Sequence, residues 1–383
     1  MANPKETVYD AEPHTRAKHQ ILSEYLKRWL PILARQSQKM KRPDNRLLYV
    51  DGFAGAGEYT GNIPGSPLVA IETALIATTD FTVPVQIKLI ELARDRVVHL
   101  RKLVDTQRSQ IPGSGRISID DPIEGKCEDV INQLIDEHEE QRRCLGPALF
   151  FLDQFGYSSF SMELIGRILK HDVCEVFSYL NWNLLHPFMA DQTKHDGITK
   201  AFGGNEWQSV IDLSGKEKED RFRDIYLNAL QSRAGAKYTY PFAMRDRHDC
   251  VIYWLFFCSN NLRGLEEMKR AMWTVDRSGG FEFSDKHAHS FGKLFKYDDS
   301  QLANDLVAAF VGETCTVSQL EEYVLVNTPA YKYKQALRIL EGDSRLEPIN
   351  PPEGRRQGVF KDKGMRVRFV LRDRPKELTL FDS

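Results

Sequence analysis

The chain has no CxxC pair, no Pro-Cys dipeptide, no long apolar run and, at a formal −2, almost no net charge. Each absence removes a class of function. The six cysteines (Cys127, Cys144, Cys174, Cys250, Cys258, Cys315) lie far apart, which argues against a structural zinc site or a secreted disulfide framework. Most of them suit small buried hydrophobes in a reducing compartment. The N-terminus (MANPKETVYDAEPH) lacks the apolar stretch of a signal peptide. The most hydrophobic stretch, 251–258, is too short to span a bilayer. A soluble cytoplasmic protein with no membrane partner is expected. The near-neutral charge leaves attraction to nucleic acid to a local patch.

A length of 383 residues with 42% hydrophobic and 28% charged composition fits one large domain and one small one. Residues 15–35 predict an amphipathic helix, with Ile21, Leu22, Tyr25, Leu26, Trp29, Leu30 and Leu33 at helical spacing. Strands are predicted at 47–50, 85–90, 116–119, 148–152, 175–180, 237–242 and 251–257. Helices are predicted at 67–77, 93–104, 128–139, 161–170 and 218–232. The alternation predicts an α/β, doubly wound, mainly parallel seven-stranded sheet. The last two strands lack an obvious helix between them and suit an antiparallel hairpin at one edge. A polar stretch at 297–300 marks a boundary. Beyond it helices at 301–310, 317–326 and 331–341, a Pro- and Gly-rich loop at 348–358 and a strand at 365–371 follow a winged-helix plan. The expected organisation is a helical lead-in at 1–44, the α/β domain at 45–297 and an α+β winged-helix-like domain at 298–383.

The most informative stretch is LLYVDGFAGAG, residues 47–57. A buried strand ends in Asp51, and a turn then carries Gly52, Gly55 and Gly57 around Phe53. Glycines there let the backbone approach a ligand at the carboxyl edge of the sheet, where open α/β folds bind nucleotides. The third glycine of a dinucleotide GxGxxG is displaced, and an acidic Asp51 suits a positively charged amino acid moiety better than a diphosphate. The next strand ends in Glu91, followed by Leu92, where a carboxylate can accept both ribose hydroxyl hydrogens of a nucleoside. Gly125, Lys126, Cys127, Glu128 and Asp129 can flank a base, although Glu128 and Asp129 are also ordinary charges for a helix N-terminus.

The fourth strand ends in Asp153, Gln154, Phe155, Gly156 and Tyr157. An acid or amide here can hold a nucleophilic amine or hydroxyl, and aromatics can stack on a flat substrate. The bland alternative is that Phe155 and Tyr157 cap the core. Ser158 and Ser159 read as a helix start rather than nucleophiles. Asn181, Trp182 and Asn183 follow the fifth strand at the same edge, with Trp182 equally suited to packing. Without Pro-Cys, a cytosine-C5 enzyme is disfavoured. The prolines of a DPPY motif are replaced by Gln154 and Phe155. His14, His19, His287 and His289 read as hydrogen-bonding histidines, so no metal is expected.

HTRAKHQILSEYLKRW, YVDGFAGAGEYTG with GSPLVAIETAL, FFLDQFGYSSFSMELIGRIL and LFFCSNNLRGLEEMKRAMWTVD together resemble the three-Cys-motif partner proteins, over residues 13–276. That resemblance implies a class I methyltransferase-type sheet that binds S-adenosyl-L-methionine, a C-terminal winged helix, and a radical-SAM-like partner protein bearing three cysteines. The family pattern has proline where this chain has Gln154, which puts the catalytic edge in question. The implied cofactor set is Asp51, Gly52, Phe53, Gly55, Gly57, Glu91, Leu92, Cys127 and Asp153. The implied catalytic set is Asp153, Gln154, Phe155 and Tyr157.

For the methyl acceptor the expectation is nucleic acid, because residues 331–376 hold 13 Lys and Arg against 6 Asp and Glu. A solvated charged face is the plainer account of the same residues. A small molecule or protein acceptor and a non-catalytic S-adenosylmethionine-binding adaptor remain as alternatives. A nicotinamide oxidoreductase lacks the glycine spacing and a Tyr-Lys relay.

Overall fold

The computed structural model describes residues 7–40, 46–78, 81–111, 116–143, 145–154, 156, 159–276, 282–287 and 297–370. The chain divides into two compact units, Met1–Leu294 and Phe295–Ser383.

In chain order the first unit contains α1 (Pro13–Met40), β1 (Leu47–Asp51), α2 (Ser66–Ala77), β2 (Val85–Glu91), α3 (Arg94–Gln110), β3 (Ile117–Ile119), α4 (Cys127–Glu140), β4 (Ala148–Leu152), α5 (Met162–Leu169) and β5 (Cys174–Leu180). It continues with α6 (Trp182–Phe188), α7 (His195–Phe202), α8 (Gly215–Ser232), β6 (Tyr238–Arg245), β7 (Val251–Ser259), α9 (Leu262–Met272) and β8 (Glu282–Ser284). The sheet order is β3-β2-β1-β4-β5-β7-β6-β8, with a two-residue strand, Ile123–Glu124, also on β2. Strands β1 to β5 pair in parallel. Strand β7 runs antiparallel to both β5 and β6. A mainly parallel sheet that reverses only at β7 is the methyltransferase-type α/β arrangement. The predicted hairpin is present, but the short parallel β8 covers its outer side.

Strands β1, β4 and β5 are buried at every position, which requires cover on both faces. Leu48, Val50, Phe150, Leu152 and Val176 pack into one cluster with residues of α4, α5, α7 and α8. On the opposite face Glu175 meets α1: its carboxylate accepts from Tyr25 Oη (2.5 Å), Trp29 Nε1 (2.7 Å) and Ser259 Oγ (2.8 Å). Three donors offset the desolvation of a wholly buried acid, whose pKa burial still raises. Gly264 in α9 is required by the same group, since a Cβ there would lie 2.0 Å from Glu175 Oε1.

Helix α1 thus locks onto the sheet and starts two residues before, and runs five beyond, its predicted span. Helix α5 is capped by Ser161, which accepts from Leu164 N (3.1 Å), so the helix starts later than Ser159. Among the described residues no helix is long and apolar enough to cross a membrane.

The second unit contains α10 (Asp299–Phe310), β9 (Thr314–Thr316), α11 (Val317–Asn327), α12 (Lys334–Gly342), β10 (Leu346–Ile349) and β11 (Arg366–Phe369). Its antiparallel sheet has the order β9-β11-β10. A capping box between Thr316 and Gln319 starts α11. Leu306, Leu320, Leu337 and Val367 belong to a core of its own. Strands β9 and β10 were not predicted; at three and four residues they are too short for an alternating pattern to show.

Candidate functional site

The carboxyl ends of β1, β2, β4 and β5 open on a cavity of about 1380 Å³. It exceeds the roughly 300–1,000 Å³ typical of small-molecule pockets, so a nucleoside-sized ligand and a second small reactant both fit. Of the residues expected at a site, Gly52, Phe53, Glu91, Leu92, Cys127, Asp153 and Gln154 line this cavity, as do Asn181 and Asn183. Gly55 and Gly57 line a smaller neighbouring pocket of about 20 Å³, together with Phe53, Tyr59 and Asp153. Phe155, Tyr157, Ser158 and His289 lie outside the described residues.

The turn after β1 is held from both sides. Gly52 N–H donates to Phe151 O (2.9 Å), and Gly55 N–H donates to Glu91 Oε2 (2.9 Å). A Cβ on Gly52 would lie 2.6 Å from Cys127 Sγ, and Gly57 has φ +90° with Leu100 2.7 Å from the Cβ position. The bare backbone there is therefore a steric requirement as well as an opening towards the cavity.

Glu91 also accepts from Ala93 N (2.8 Å), so each carboxylate oxygen takes one backbone N–H. A carboxylate has about four acceptor sites, which leaves capacity for hydroxyl donors in the cavity. Leu92 beside it is 64% exposed, an apolar side chain at the cavity lip available to a flat ring. Cys127 begins α4, and burial raises its thiol pKa well above the usual range, so it is an inert apolar wall.

Asp51 lies behind the turn and lines neither cavity. It is fully buried and accepts from Phe53 N (3.1 Å). Burial, reinforced by the charge of Asp153 and opposed by hydrogen bonds from Ser66 and Phe53, raises its pKa to about 7. Gln154 is buried with both ends of its amide engaged: Nε2 donates to Tyr179 O (3.4 Å) and Oε1 accepts from Ser159 N (3.0 Å). Trp182 packs on Phe222 and Trp254, while Asn181 caps α6 by accepting from Leu184 N (3.1 Å).

Sequence reasoning missed one whole wall. The first turns of α1 and the segment before it bring Tyr9, Glu12, His14 and Lys18 to the cavity. Lys18, only 5% exposed, forms an ion pair with Asp153 and lies 5.4 Å from the ring centre of Tyr179 and 5.7 Å from that of Tyr253. His14 Nδ1 bonds Asp285 Oδ2 at 2.9 Å. The HTRAKH stretch was the available signal, but its partners lie over a hundred residues away. Eight carboxylates and four lysine or arginine side chains line the cavity, so its wall is acidic. Among the described residues no group of three His, Cys, Asp or Glu could hold a metal ion.

No family model matches the chain, and no curated protein matches it. Among solved structures, one described as a putative O-methyltransferase from Klebsiella pneumoniae aligns over 65% of this chain and 88% of its own, at 10% identity and a TM-score of 0.27. That score carries no argument about fold or activity, and the methyltransferase-type assignment stands on the strand order and direction alone.

Proposed function

We propose that the chain is an S-adenosyl-L-methionine-dependent methyltransferase. The observation that carries this is Glu91, a carboxylate at the tip of β2, inside the cavity and tied to the glycine turn of β1. In this reading Glu91 accepts the ribose hydroxyls, Leu92 and Cys127 pack on the adenine, and the backbone at Gly52 and Phe53 with Asp153 receives the methionine end. Gly55, Gly57 and Asp51 act one layer back, shaping and stiffening the turn. When bound, the cofactor supplies an electrophilic methyl on a sulfonium, and the acidic wall favours that positive charge. The proposed catalytic set is Asp153, Gln154, Phe155 and Tyr157, with Gln154 holding the turn by its two backbone contacts.

Titration calorimetry with S-adenosylmethionine and S-adenosylhomocysteine tests this. Micromolar binding by the wild type and at least about a tenfold loss in Glu91→Ala, worth about 1.4 kcal/mol, are expected. Wild-type protein indifferent to both compounds would end the reading.

The second unit, proposed as a winged helix at 298–383, supports a nucleic-acid acceptor through exposed Lys332, Lys334, Arg338, Lys361, Arg366 and Arg368. The acidic cavity wall favours a small acceptor instead, since a polyanion would meet like charge there. Membership of the three-Cys-motif partner family, with its radical-SAM-like partner, is part of the proposal and rests on the motifs quoted above. A cofactor-binding adaptor without turnover is the outcome if calorimetry succeeds and no acceptor is methylated.

A further inference from the structure

Two side chains on one face of α1 enter the cavity, each fixed by a carboxylate from a distant part of the chain. His14 and Lys18 are four residues apart, hence neighbours on the helix surface. Asp285, following β8, takes His14 Nδ1, and Asp153, following β4, takes Lys18 Nζ. Tyr253 touches both, with its ring 5.6 Å from that of His14 and 5.7 Å from Lys18 Nζ. Its hydroxyl donates to His14 O (3.3 Å), which pins the first turn of α1 against β7.

The unused valences matter more. An ammonium has three N–H donors. Among the described residues Asp153 is the one hydrogen-bond partner of Lys18 Nζ, although the side chain is almost wholly enclosed. Donors left unmatched in a cavity wall call for an oxygen on a ligand. In the neutral tautomer that donates Nδ1–H to Asp285, the lone pair of His14 lies on Nε2, which has no protein partner among the described residues. A base and a fixed cation side by side are what a hydroxyl needs to react as a nucleophile. The rings of Tyr179 and Tyr253, 4.3 Å apart, add an aromatic wall beside them.

We propose that His14 and Lys18 form the acceptor-activating pair of this cavity, and that the acceptor is a small planar phenol. This deepens the methyltransferase reading and rests on it for the transfer step. The phenol O–H gives its proton to His14 Nε2, while a Lys18 N–H bonds the oxygen. The oxygen lone pair then forms the O–CH3 bond as the S–CH3 bond breaks, and that electron pair returns to sulfur. Products are the aryl methyl ether, S-adenosylhomocysteine and a proton released from His14. Asp285 and Asp153 are positioning residues. Other titratable groups facing the pair or its two carboxylates are His19, next to Lys18, and the tyrosines Tyr9, Tyr59, Tyr179 and Tyr253, with Glu12 and Asp246 elsewhere on the cavity wall.

The test uses 4-nitrophenol, whose phenolate absorbs in the visible, titrated into the full-length protein with and without S-adenosylhomocysteine. The bound dye should ionise with an apparent pKa about 1–3 below that of the free dye. Lys18→Met should reduce the bound phenolate about five- to tenfold at a pH one unit below the free pKa, and Lys18→Arg should retain it. His14→Gln should weaken it similarly without altering cofactor binding. Circular dichroism establishes that each variant is folded; if Lys18→Met is not, Lys18→Gln, which leaves Asp153 in place and keeps a polar partner for it, replaces it. An unchanged dye spectrum with wild type, or phenolate binding equal in Lys18→Met and wild type, overturns the proposal. Calorimetry on the same samples reports cofactor binding separately, so the two readings fail independently.

Discussion

Asp51 is a carboxylate enclosed by protein on all sides, and that isolation gives the site a pH signature. Its folded pKa of about 7 exceeds the unfolded value of 3.8, so the folded chain holds a proton there that the unfolded chain has released. The resulting stabilisation is complete below about pH 4 and is lost as pH rises through 7. The difference corresponds to about 4 kcal/mol, as an order of magnitude. Asp51→Asn, which keeps the uncharged shape, should flatten the dependence of the melting temperature between about pH 4 and pH 8. It should also be the more stable form at the alkaline end; equal slopes for the two proteins would refute the assignment. Asp51, Gly52 and Glu91 were legible because a strand end followed by glycine or a carboxylate is a local pattern. Whether Asp51 touches a ligand or braces the turn was not, since that depends on what packs behind β1. His14, Lys18, Tyr179 and Tyr253 were illegible as a group because 239 residues separate His14 from Tyr253.

At the scale of elements, the lock between α1, β5 and α9 makes a prediction with an unusual sign. Alanine is the better helix former by about 1 kcal/mol, so Gly264→Ala in α9 would ordinarily stabilise. Here the added methyl meets Glu175 Oε1 at 2.0 Å and should destabilise by about 1–3 kcal/mol, read from urea denaturation. Ser161→Ala removes the cap of α5 and should cost about 1 kcal/mol. A neutral result for both would mean these contacts are not made in solution. The long amphipathic α1 and the strands β1, β4 and β5, apolar but for Asp51, Glu175 and Ser178, were readable from periodicity and composition. Short α6 and α7 were not: seven and eight residues give barely two turns, and Pro187 interrupts the pattern of α6. The three-residue β8 exists as a strand only because β6 offers it a free edge.

Across the whole molecule, each unit has its own hydrophobic core, and a fragment spanning 295–383 should melt cooperatively by circular dichroism. If its exposed lysines and arginines bind duplex DNA or structured RNA, affinity should fall steeply with salt, with a log–log slope near −0.9 per phosphate neutralised on duplex DNA. No binding at low salt would leave the basic surface a solvated face. The succession of β1 to β7 with α1 to α5 and α8, the buried central strands, the glycine turn and the carboxylates at two strand tips were determined by sequence, because each is set by neighbours along the chain. Tertiary structure alone decided that α1 forms a wall of the cavity and that Asp51 stands behind it. It also decided that Lys18 and His14 face inward on the carboxylates that follow β4 and β8. Those facts depend on which distant segments the packed core brings within a few ångströms of each other, and periodicity carries no information about that distance.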